Sequence, residues 1–291
     1  MLEDWLDVVG CPHCCGPLSL AGNATPALVC RGCGERFAVE GGIPVLLRQE
    51  DADRLARFSQ LYREARLAEG WQPLAAEQAR ALPYGQPPGY TPLYWEVRRQ
   101  SFCALMGLLA REGPSSAAGP VADVGAGSGW LSYRLAQVGY PVLAIEASRD
   151  TAFGLGAATA HYLSEIPFLP VQGDLEHLPL QPGKVSLIIF NASLHYAADL
   201  EGTLRHAAQA LQPGGRLIIL DSPIARRPHP GTGQGDRHLG RRELDTALVE
   251  AGLRPRWIAV RRGLRWQVRQ LKVWLKRAPR FSFPMISAEQ I

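Results

Sequence analysis

The sequence predicts an α/β protein with a Rossmann-like, doubly wound, mostly parallel seven-stranded sheet, preceded by a small cysteine-rich module. Short apolar runs alternate with segments of helical periodicity, and the first run ends in a glycine-rich turn. Five of the six cysteines lie within residues 11–33 and predict the N-terminal module. We expect three parts: the module over residues 1–48, a helical connector rich in proline and glycine over 49–100, and the α/β domain over 101–291.

Length and composition are those of an ordinary globular chain. The 291 residues are 46% apolar and 20% charged, which excludes a disordered or fibrous protein. No apolar run approaches the roughly 18 residues that span a bilayer. Residues 1–10 carry acids where a secretion signal would be basic and then apolar. We therefore expect a cytoplasmic protein.

Four of the cysteines form two C-x-x-C pairs, Cys11 with Cys14 and Cys30 with Cys33. Each pair turns tightly enough for two thiolates to face one ion, and two pairs supply the tetrahedral sulfur set that Zn²⁺ prefers. A pair of disulfides is the alternative, which a reducing cytosol disfavours. Cys15 adjoins the first pair and could substitute for Cys14.

The stretch that begins at Cys30, CRGCGERFAVEGGIPVLL, resembles the Trm112-like zinc-ribbon family, and the resemblance covers roughly residues 8–48. The resemblance implies a module that is structural or that recruits and activates methyltransferases. Zinc would then hold the fold together, because a module of about 40 residues has too little core to fold alone.

The connector begins with a charged, helix-competent segment over residues 51–69. Residues 83–90 follow, with three prolines and two glycines that neither a helix nor a central strand accommodates. Tyr90, Tyr94 and Trp95 then lead into a helix over 93–109. These aromatic residues either attach the connector to the domain or close a lid over the site.

The glycine-rich turn places Gly125, Gly127 and Gly129 between a strand that begins at Val121 and a helical segment over 131–138. Glycines let the backbone approach a ligand closely, although the order here is G-x-G-x-G rather than that of a dinucleotide site. A second strand ends in Glu146, 21 residues after Gly125, which is the spacing at which a carboxylate binds ribose hydroxyls.

Further apolar runs complete the predicted sheet. A strand over 168–174 ends in Asp174, which is placed to accept from an adenine amino group, with Leu175 beside the ring. A fourth run ends at Asn191 and is almost wholly apolar, as expected of a central strand. A fifth strand follows the turn at 212–215, and residues 254–260 and 281–288 are expected to form the sixth and seventh. Ligands of such sheets bind at the carboxyl ends of the strands.

Together these residues resemble class I S-adenosylmethionine-dependent methyltransferases, in particular the UbiE-like, type 11 group, over roughly residues 101–291. The resemblance implies S-adenosyl-L-methionine as the cofactor, bound by Asp123, Gly125, Ala126, Gly127 and Gly129 around the methionine moiety, Glu146 and Ala147 around the ribose, Asp174 and Leu175 at the adenine, and Asn191 near the sulfonium. An oxidoreductase, or a domain that has lost its ligand, is the alternative, which the joint presence of these glycines and acids disfavours.

The candidate catalytic residues are Asn191, His195 and Tyr196, which follow the fourth strand. Methyl transfer from a sulfonium is an in-line displacement, so the protein mainly aligns the acceptor and excludes water. A general base is optional. His195 could take a proton, since an unperturbed histidine titrates near neutral pH. The resemblance favours an orienting or structural role for this residue.

The C-terminal region is strongly basic. Residues 226–280 hold fifteen Arg or Lys and four Asp or Glu, a charge of +11 within a chain of net charge +4. Within this region, residues 261–277 form a predicted insertion whose apolar residues, including Leu264, Val268 and Leu271, recur at helical spacing. Such a helix could lie on an anionic membrane, bind RNA phosphates or pack on its own domain. Packing on the domain is favoured.

Three functions remain open. The favoured one is a methyltransferase that acts on a small-molecule or lipid-like acceptor, because no recognised RNA-specific motif is present. An RNA methyltransferase, acting on rRNA or tRNA, is the second, supported by the zinc ribbon and the basic region. The third is a non-catalytic adaptor whose ribbon binds a partner.

Overall fold

The computed structural model describes residues 2–22, 26–112, 119–162, 168–225, 229–230, 237–275 and 281–291. The N-terminal module contains β1 (Leu18–Ala21), β2 (Ala27–Cys30), β3 (Arg36–Glu40) and β4 (Ile43–Leu46). The connector contains α1 (Ala52–Ala68), α2 (Ala76–Ala81) and α3 (Pro92–Glu112). The α/β region contains β5 (Val121–Val124), α4 (Trp130–Gln137), β6 (Val142–Glu146), α5 (Leu155–Tyr162), β7 (Leu169–Gly173), β8 (Val185–Asn191), α6 (Leu200–Ala210), β9 (Leu211–Leu220), β10 (Ile224–Ala225), β11 (His229–Pro230), β12 (Arg237–Gly240), α7 (Arg241–Glu250), β13 (Leu253–Ile258), α8 (Leu264–Leu275), β14 (Phe281–Ser282) and β15 (Met285–Gln290).

Seven strands form the predicted sheet, in the order β7-β6-β5-β8-β9-β15-β13. The pairings from β7 to β9 are parallel, whereas β15 runs antiparallel to both β9 and β13. Successive residues of a strand face opposite sides of the sheet, so Ala122 and Val124 enter one apolar core and Val121 enters the other. Helices α6 and α7 pack in the first core, and α3 and α4 pack in the second. The doubly wound architecture is confirmed.

The N-terminal module continues this sheet rather than standing apart from it. Strand β4 pairs in parallel with β7, with Val45 opposite Gln172 and Leu46 opposite Gly173, which extends the sheet to eleven strands. The Gln181 side-chain amide donates to the carbonyls of Leu6 and Val9 on the module. Apolar residues of the module share a core with β7, so folding of the two parts is coupled.

The connector lies over the carboxyl ends of the strands. Helices α1 and α3 form where the sequence predicts helices, and residues 83–90 between α2 and α3 contain no helix or strand. Four aromatic rings form a connected group with centroids 4.6–5.9 Å apart: Trp71 between α1 and α2, Tyr90 before α3, and Tyr94 and Trp95 on α3. An aromatic layer therefore covers the site.

The C-terminal region differs from the prediction in two ways. The strand expected over 281–288 is divided: β14 pairs with β10 in a small second sheet, and β15 enters the main sheet. Pro284 lies between them, and proline lacks the N–H that a ladder needs. The insertion does form a helix, α8. Its residues Leu264, Val268 and Leu271 were expected to pack on the domain, but they are exposed. Residues 276 and 277 of the predicted insertion lie outside the described residues.

No helix in the described ranges combines the length and the apolar character that a bilayer crossing requires.

Candidate active site

The glycine-rich turn between β5 and α4 requires glycine for its backbone conformation and, at two positions, for close packing. All three have positive φ, at 72° for Gly125, 55° for Gly127 and 79° for Gly129, a conformation that costs other residues free energy. A Cβ on Gly125 would lie 2.3 Å from the Cβ of Ser193, and one on Gly129 would lie 2.9 Å from that of Ala158. The turn is therefore packed tightly against the loop that follows β8 and against α5.

Glu146 ends β6 beside this turn, and its carboxylate is held by the backbone. Its Oε2 accepts from the Gly127 N–H at 2.9 Å, and its Oε1 accepts from the Ser148 N–H at 2.9 Å. Burial raises the pKa of this carboxyl, and the backbone N–H groups oppose that rise because they stabilise the charged form. Glu146 is thereby fixed toward the cleft.

Two adjoining cavities lie at the carboxyl ends of β5, β6 and β8. The Trp71 cavity is lined by Tyr62, Trp71, Tyr94, Arg98, Gly125, Ala126, Gly127, Phe153, Asn191 and other residues. The Glu146 cavity is lined by residues that include Phe58, Tyr62, Gly125, Gly127, Glu146, Ala147, Leu175 and Tyr196. Seven residues predicted to bind the cofactor therefore line a single cleft: Gly125, Ala126, Gly127, Glu146, Ala147, Leu175 and Asn191.

Three predicted cofactor residues, Asp123, Gly129 and Asp174, lie outside the described walls of these cavities. Asp123 is buried and accepts from the Ser132 hydroxyl at 2.7 Å, so its contact is within the protein. Gly129 precedes α4 and allows α5 to approach. Asp174 accepts from the Arg54 guanidinium on α1 and from the Glu176 N–H. Direct contact of these residues with a cofactor stays a prediction.

Of the candidate catalytic residues, Asn191 and Tyr196 line the cleft, and His195 is buried behind it. The rings of His195 and Tyr196 are 4.2 Å apart, and His195 Nδ1 lies 3.4 Å from the Ser222 hydroxyl. Burial, with the charges of Arg98 and Arg66, lowers the pKa of His195 to about 3. A neutral, weakly basic imidazole at this position favours the orienting role over the general-base role.

Helix α1 supplies site residues that the sequence analysis missed. Phe58 and Tyr62 line the Glu146 cavity, and their rings lie 5.4 and 6.0 Å from that of Tyr196. Arg54, one turn earlier, forms the ion pair with Asp174 that joins α1 to the end of β7. The charged, helix-competent sequence of residues 51–69 indicated a helix, but nothing in it indicated which face would cover the cleft.

A third cavity, of about 390 Å³, lies on the other side of Tyr94 and Arg98, which line both it and the Trp71 cavity. We name it the Trp266 cavity; its walls include Leu93, Val97, Trp266, Arg269, Phe283 and Asp221. Asp221 was also missed, although it directly follows β9, as ligand-binding residues of such sheets do.

Asp221 is held in an unusual environment. It has φ of 52°, and Ala192, which directly follows β8, has φ of 56°. Such conformations cost free energy in residues other than glycine and concentrate at functional sites. Asp221 Oδ1 accepts from Ser101, and Oδ2 lies 3.7 Å from Arg98 Nη1 with no hydrogen-bond partner among the described residues. Burial raises the pKa of this carboxyl, against the effect of Arg98 and Arg262.

The four predicted metal ligands come together in the N-terminal module. Cys11 Sγ lies 3.6 Å from Cys33 Sγ, Cys14 Sγ lies 3.4 Å from Cys30 Sγ, and all four sulfurs lie within 4.8 Å of one another. A tetrahedral ZnS₄ site with bonds of about 2.3 Å has sulfur atoms about 3.8 Å apart. All four are free thiols rather than disulfides. The geometry fits one zinc ion, and Cys15 is not part of the cluster.

Comparison with known proteins gives separate matches for the α/β region and for the N-terminal module. Residues 122–219 match the family described as "Methyltransferase domain". The chain is 29% identical over 154 residues to a malonyl-[acyl-carrier protein] O-methyltransferase of Hahella chejuensis, covering 50% of this chain and 53% of that one. It is 28% identical over 129 residues to a demethylmenaquinone methyltransferase of Tropheryma whipplei, covering 44% and 49%. The chain thus spans about half the length of these relatives.

The N-terminal module has relatives of its own. Over 45 residues it is 47% identical to a UPF0434 protein of Stutzerimonas stutzeri, which covers 16% of this chain and 72% of that protein.

Among solved structures, a geranyl diphosphate methyltransferase in complex with GPP and sinefungin gives a TM-score of 0.56 at 17% identity, covering 84% of this chain and all of that one. Magnesium protoporphyrin IX methyltransferase from Synechocystis PCC 6803 with bound SAM gives 0.51 at 17% identity, covering 77% and 96%. At these identities the likeness establishes the fold. The chain therefore has the class I methyltransferase fold, preceded by an N-terminal cysteine-rich module that belongs to the UPF0434 family.

Proposed function

We propose that this chain is an S-adenosylmethionine-dependent methyltransferase that transfers a methyl group to a small-molecule or lipid-like acceptor. The observation that carries the proposal is the glycine-lined cleft at the carboxyl ends of the parallel strands, in which two backbone N–H groups orient Glu146. An apolar cavity adjoins that cleft. The names of the relatives, which specify malonyl-[acyl-carrier protein] and demethylmenaquinone, support an acceptor of this class.

Seven of the predicted cofactor residues line the cleft and would contact successive parts of the cofactor. Glu146 would bind the ribose hydroxyls, Leu175 would contact the adenine, and Gly125 and Gly127 would face the methionine moiety with Asn191 near the sulfonium. Bound S-adenosylmethionine supplies an electrophilic methyl group on a sulfonium. Aromatic rings on α1 and α3 exclude water from the cleft, and their faces favour a cation. Contacts of Asp123, Gly129 and Asp174 would be indirect, through the shape of the turn and the position of α1.

The Trp266 cavity would hold the acceptor. Its walls are mostly apolar, and Tyr94 and Arg98 line both it and the cleft, so an acceptor bound there would lie next to the bound cofactor. Asp221 would accept a hydrogen bond or a proton from that acceptor, since its Oδ2 has no hydrogen-bond partner among the described residues, with the Arg98 guanidinium 3.7 Å away. Asn191 and Tyr196 would orient the reactants, and His195 would support Tyr196.

Zinc in this proposal is structural. Bound to Cys11, Cys14, Cys30 and Cys33, it would hold the two turns of the ribbon together, and none of these cysteines lines the cleft or the Trp266 cavity. The cytoplasm is the proposed compartment, because free thiols that bind a metal need reducing surroundings.

Calorimetric titration with S-adenosylhomocysteine tests the proposal. We expect saturable binding by the zinc-loaded protein and none by Gly127→Arg, whose side chain would occupy the cleft. Glu146→Gln should weaken binding about tenfold or more, because a hydrogen bond to a charged group is lost. Val249→Ala, a change at an exposed site on α7, is the matched control and should bind normally. Absence of binding by the unaltered protein would overturn the proposal.

A further inference from the structure

Helix α8 is anchored to the domain by one face. Trp266 is 8% exposed, and its ring lies 5.3 Å from that of Phe283. Arg262, just before the helix, donates to the carbonyls of Val97 and Phe283 and to the Ser101 hydroxyl. These contacts fix the start of the helix and its orientation relative to α3.

A second face of α8 presents apolar side chains to solvent. Leu264 is 74% exposed, Val268 is 43% exposed and Leu271 is 54% exposed. They are spaced by four and three residues, so they lie in one row along the helix. Isolated exposed apolar residues such as Val138 and Val249 need no explanation. Three in one row form a continuous apolar stripe, which marks a contact surface.

Basic residues accompany this apolar stripe. The helix sequence LRWQVRQLKVWL contains three basic residues and no acidic one. Arg265 and Arg269 are exposed and follow Leu264 and Val268 in the chain, about 100° further around the helix. An apolar row flanked by cations is the pattern of a helix that lies in the interface of an anionic membrane. RNA would engage the arginines but would leave the leucines in water.

The stripe also lies beside the proposed acceptor cavity. Trp266 and Arg269 of the same helix form part of the wall of the Trp266 cavity, together with Leu93 and Val97 of α3. Contact of α8 with a lipid surface would therefore bring that surface to the cavity, which is large enough, at about 390 Å³, for an apolar ring or chain segment.

We propose that α8 docks on an anionic lipid surface and that the Trp266 cavity takes its apolar acceptor from that surface. The proposal rests on the proposed function for its second half, whereas docking itself is independent of cofactor binding. It names the source of the acceptor, which the relatives and the site do not specify.

Co-sedimentation with vesicles tests the docking. We expect the zinc-loaded protein to bind vesicles of phosphatidylcholine mixed with phosphatidylglycerol, and to bind vesicles of phosphatidylcholine alone far more weakly. Leu264→Gln/Leu271→Gln should lower binding to the mixed vesicles at least about tenfold, because two apolar side chains no longer enter the interface. Val138→Gln/Val249→Gln makes the same chemical change at two exposed sites elsewhere and should bind as the unaltered protein does.

The outcomes separate this inference from the proposed function. Binding of mixed vesicles that the α8 variant retains, or that the control variant also loses, would overturn the docking. Salt-sensitive binding to RNA without binding to vesicles would overturn it in favour of a nucleic-acid surface. The same samples are titrated with S-adenosylhomocysteine. Cofactor binding without vesicle binding refutes the docking alone, and vesicle binding without cofactor binding refutes the proposed function.

Discussion

Replacing Asp123 by asparagine should stabilise the fold at alkaline pH. Asp123 lies on β5 and is 1% exposed. Its Oδ2 accepts from Ser132, but its Oδ1 has no hydrogen-bond partner among the described residues. Burial raises the pKa of this carboxyl from 3.8 to about 7; the hydrogen bond from Ser132 opposes the rise, and the charge of Glu146 adds to it.

The difference between the two pKa values sets the size of the effect. The folded state holds its proton more tightly than the unfolded state, so stability falls as the pH rises from about 3.8 to about 7. At 1.36 kcal/mol per pKa unit, the full loss is about 4 kcal/mol. Asparagine is neutral at every pH and keeps an oxygen to accept from Ser132. The variant should therefore be more stable than the original protein by about 4 kcal/mol at pH 8 and by less than about 1 kcal/mol at pH 4.

Urea unfolding of both proteins between pH 4 and pH 8 measures this difference. Glu201→Gln, which neutralises an exposed carboxylate on α6, is the control and should show no comparable gain with pH. A constant difference between Asp123→Asn and the original protein across this range would refute the reasoning, because it would mean that Asp123 is ionised in the fold without cost.

Four further changes test other parts of the molecule. Removing zinc by chelation, or replacing Cys14 by serine, should lower the temperature of a single unfolding transition; two separate transitions in calorimetry would contradict the shared core. Phe58→Ala should weaken S-adenosylhomocysteine binding about tenfold in calorimetric titration, because an aromatic wall of the Glu146 cavity is lost; unchanged affinity would contradict contact of Phe58 with the cofactor. Once an acceptor is known, Asp221→Asn should lower kcat about a hundredfold or more with KM little changed; a purely KM effect would assign Asp221 to binding. His195→Gln should leave the pH profile of kcat unaltered near neutral pH, because burial lowers the pKa of this histidine to about 3; loss of a limb of that profile would restore the general-base role.

Most of the sheet could be predicted from local patterns. Strands β5 to β8 are short and mostly apolar, and their alternation with helices leaves few topologies other than a parallel sheet. Strand β9 begins earlier than predicted, because residues 212–215, expected to form a turn, belong to it. The pairing of β4 with β7 could not be predicted, because the hydrophobic pattern of a strand does not show which distant strand it will pair with. The exposed row on α8 could not be predicted either, because helical spacing shows that apolar residues share a face without showing what covers it.

The sequence predicted the part of the candidate site whose residues lie close together in the chain. Gly125, Gly127 and Glu146 occur at fixed spacings along a β-turn-α-β unit, so their meeting follows from the topology. Tyr62 and Arg54 reach the site from a connector whose docking is non-local. Asp221 could have been found from its position directly after β9. The arginine that holds Asp174 could not, because the two residues are 120 positions apart.

Transfer of a labelled methyl group from S-adenosylmethionine tests the central claim most directly. The zinc-loaded protein, and Gly127→Arg as the variant that should not bind the cofactor, are incubated with a lipid extract, a water-soluble small-molecule extract and total RNA in parallel. We predict label in the lipid or small-molecule fraction with the original protein only. Label confined to RNA would contradict the proposed acceptor, and no label in any fraction from a protein that binds S-adenosylhomocysteine would contradict its role as an enzyme on these acceptors.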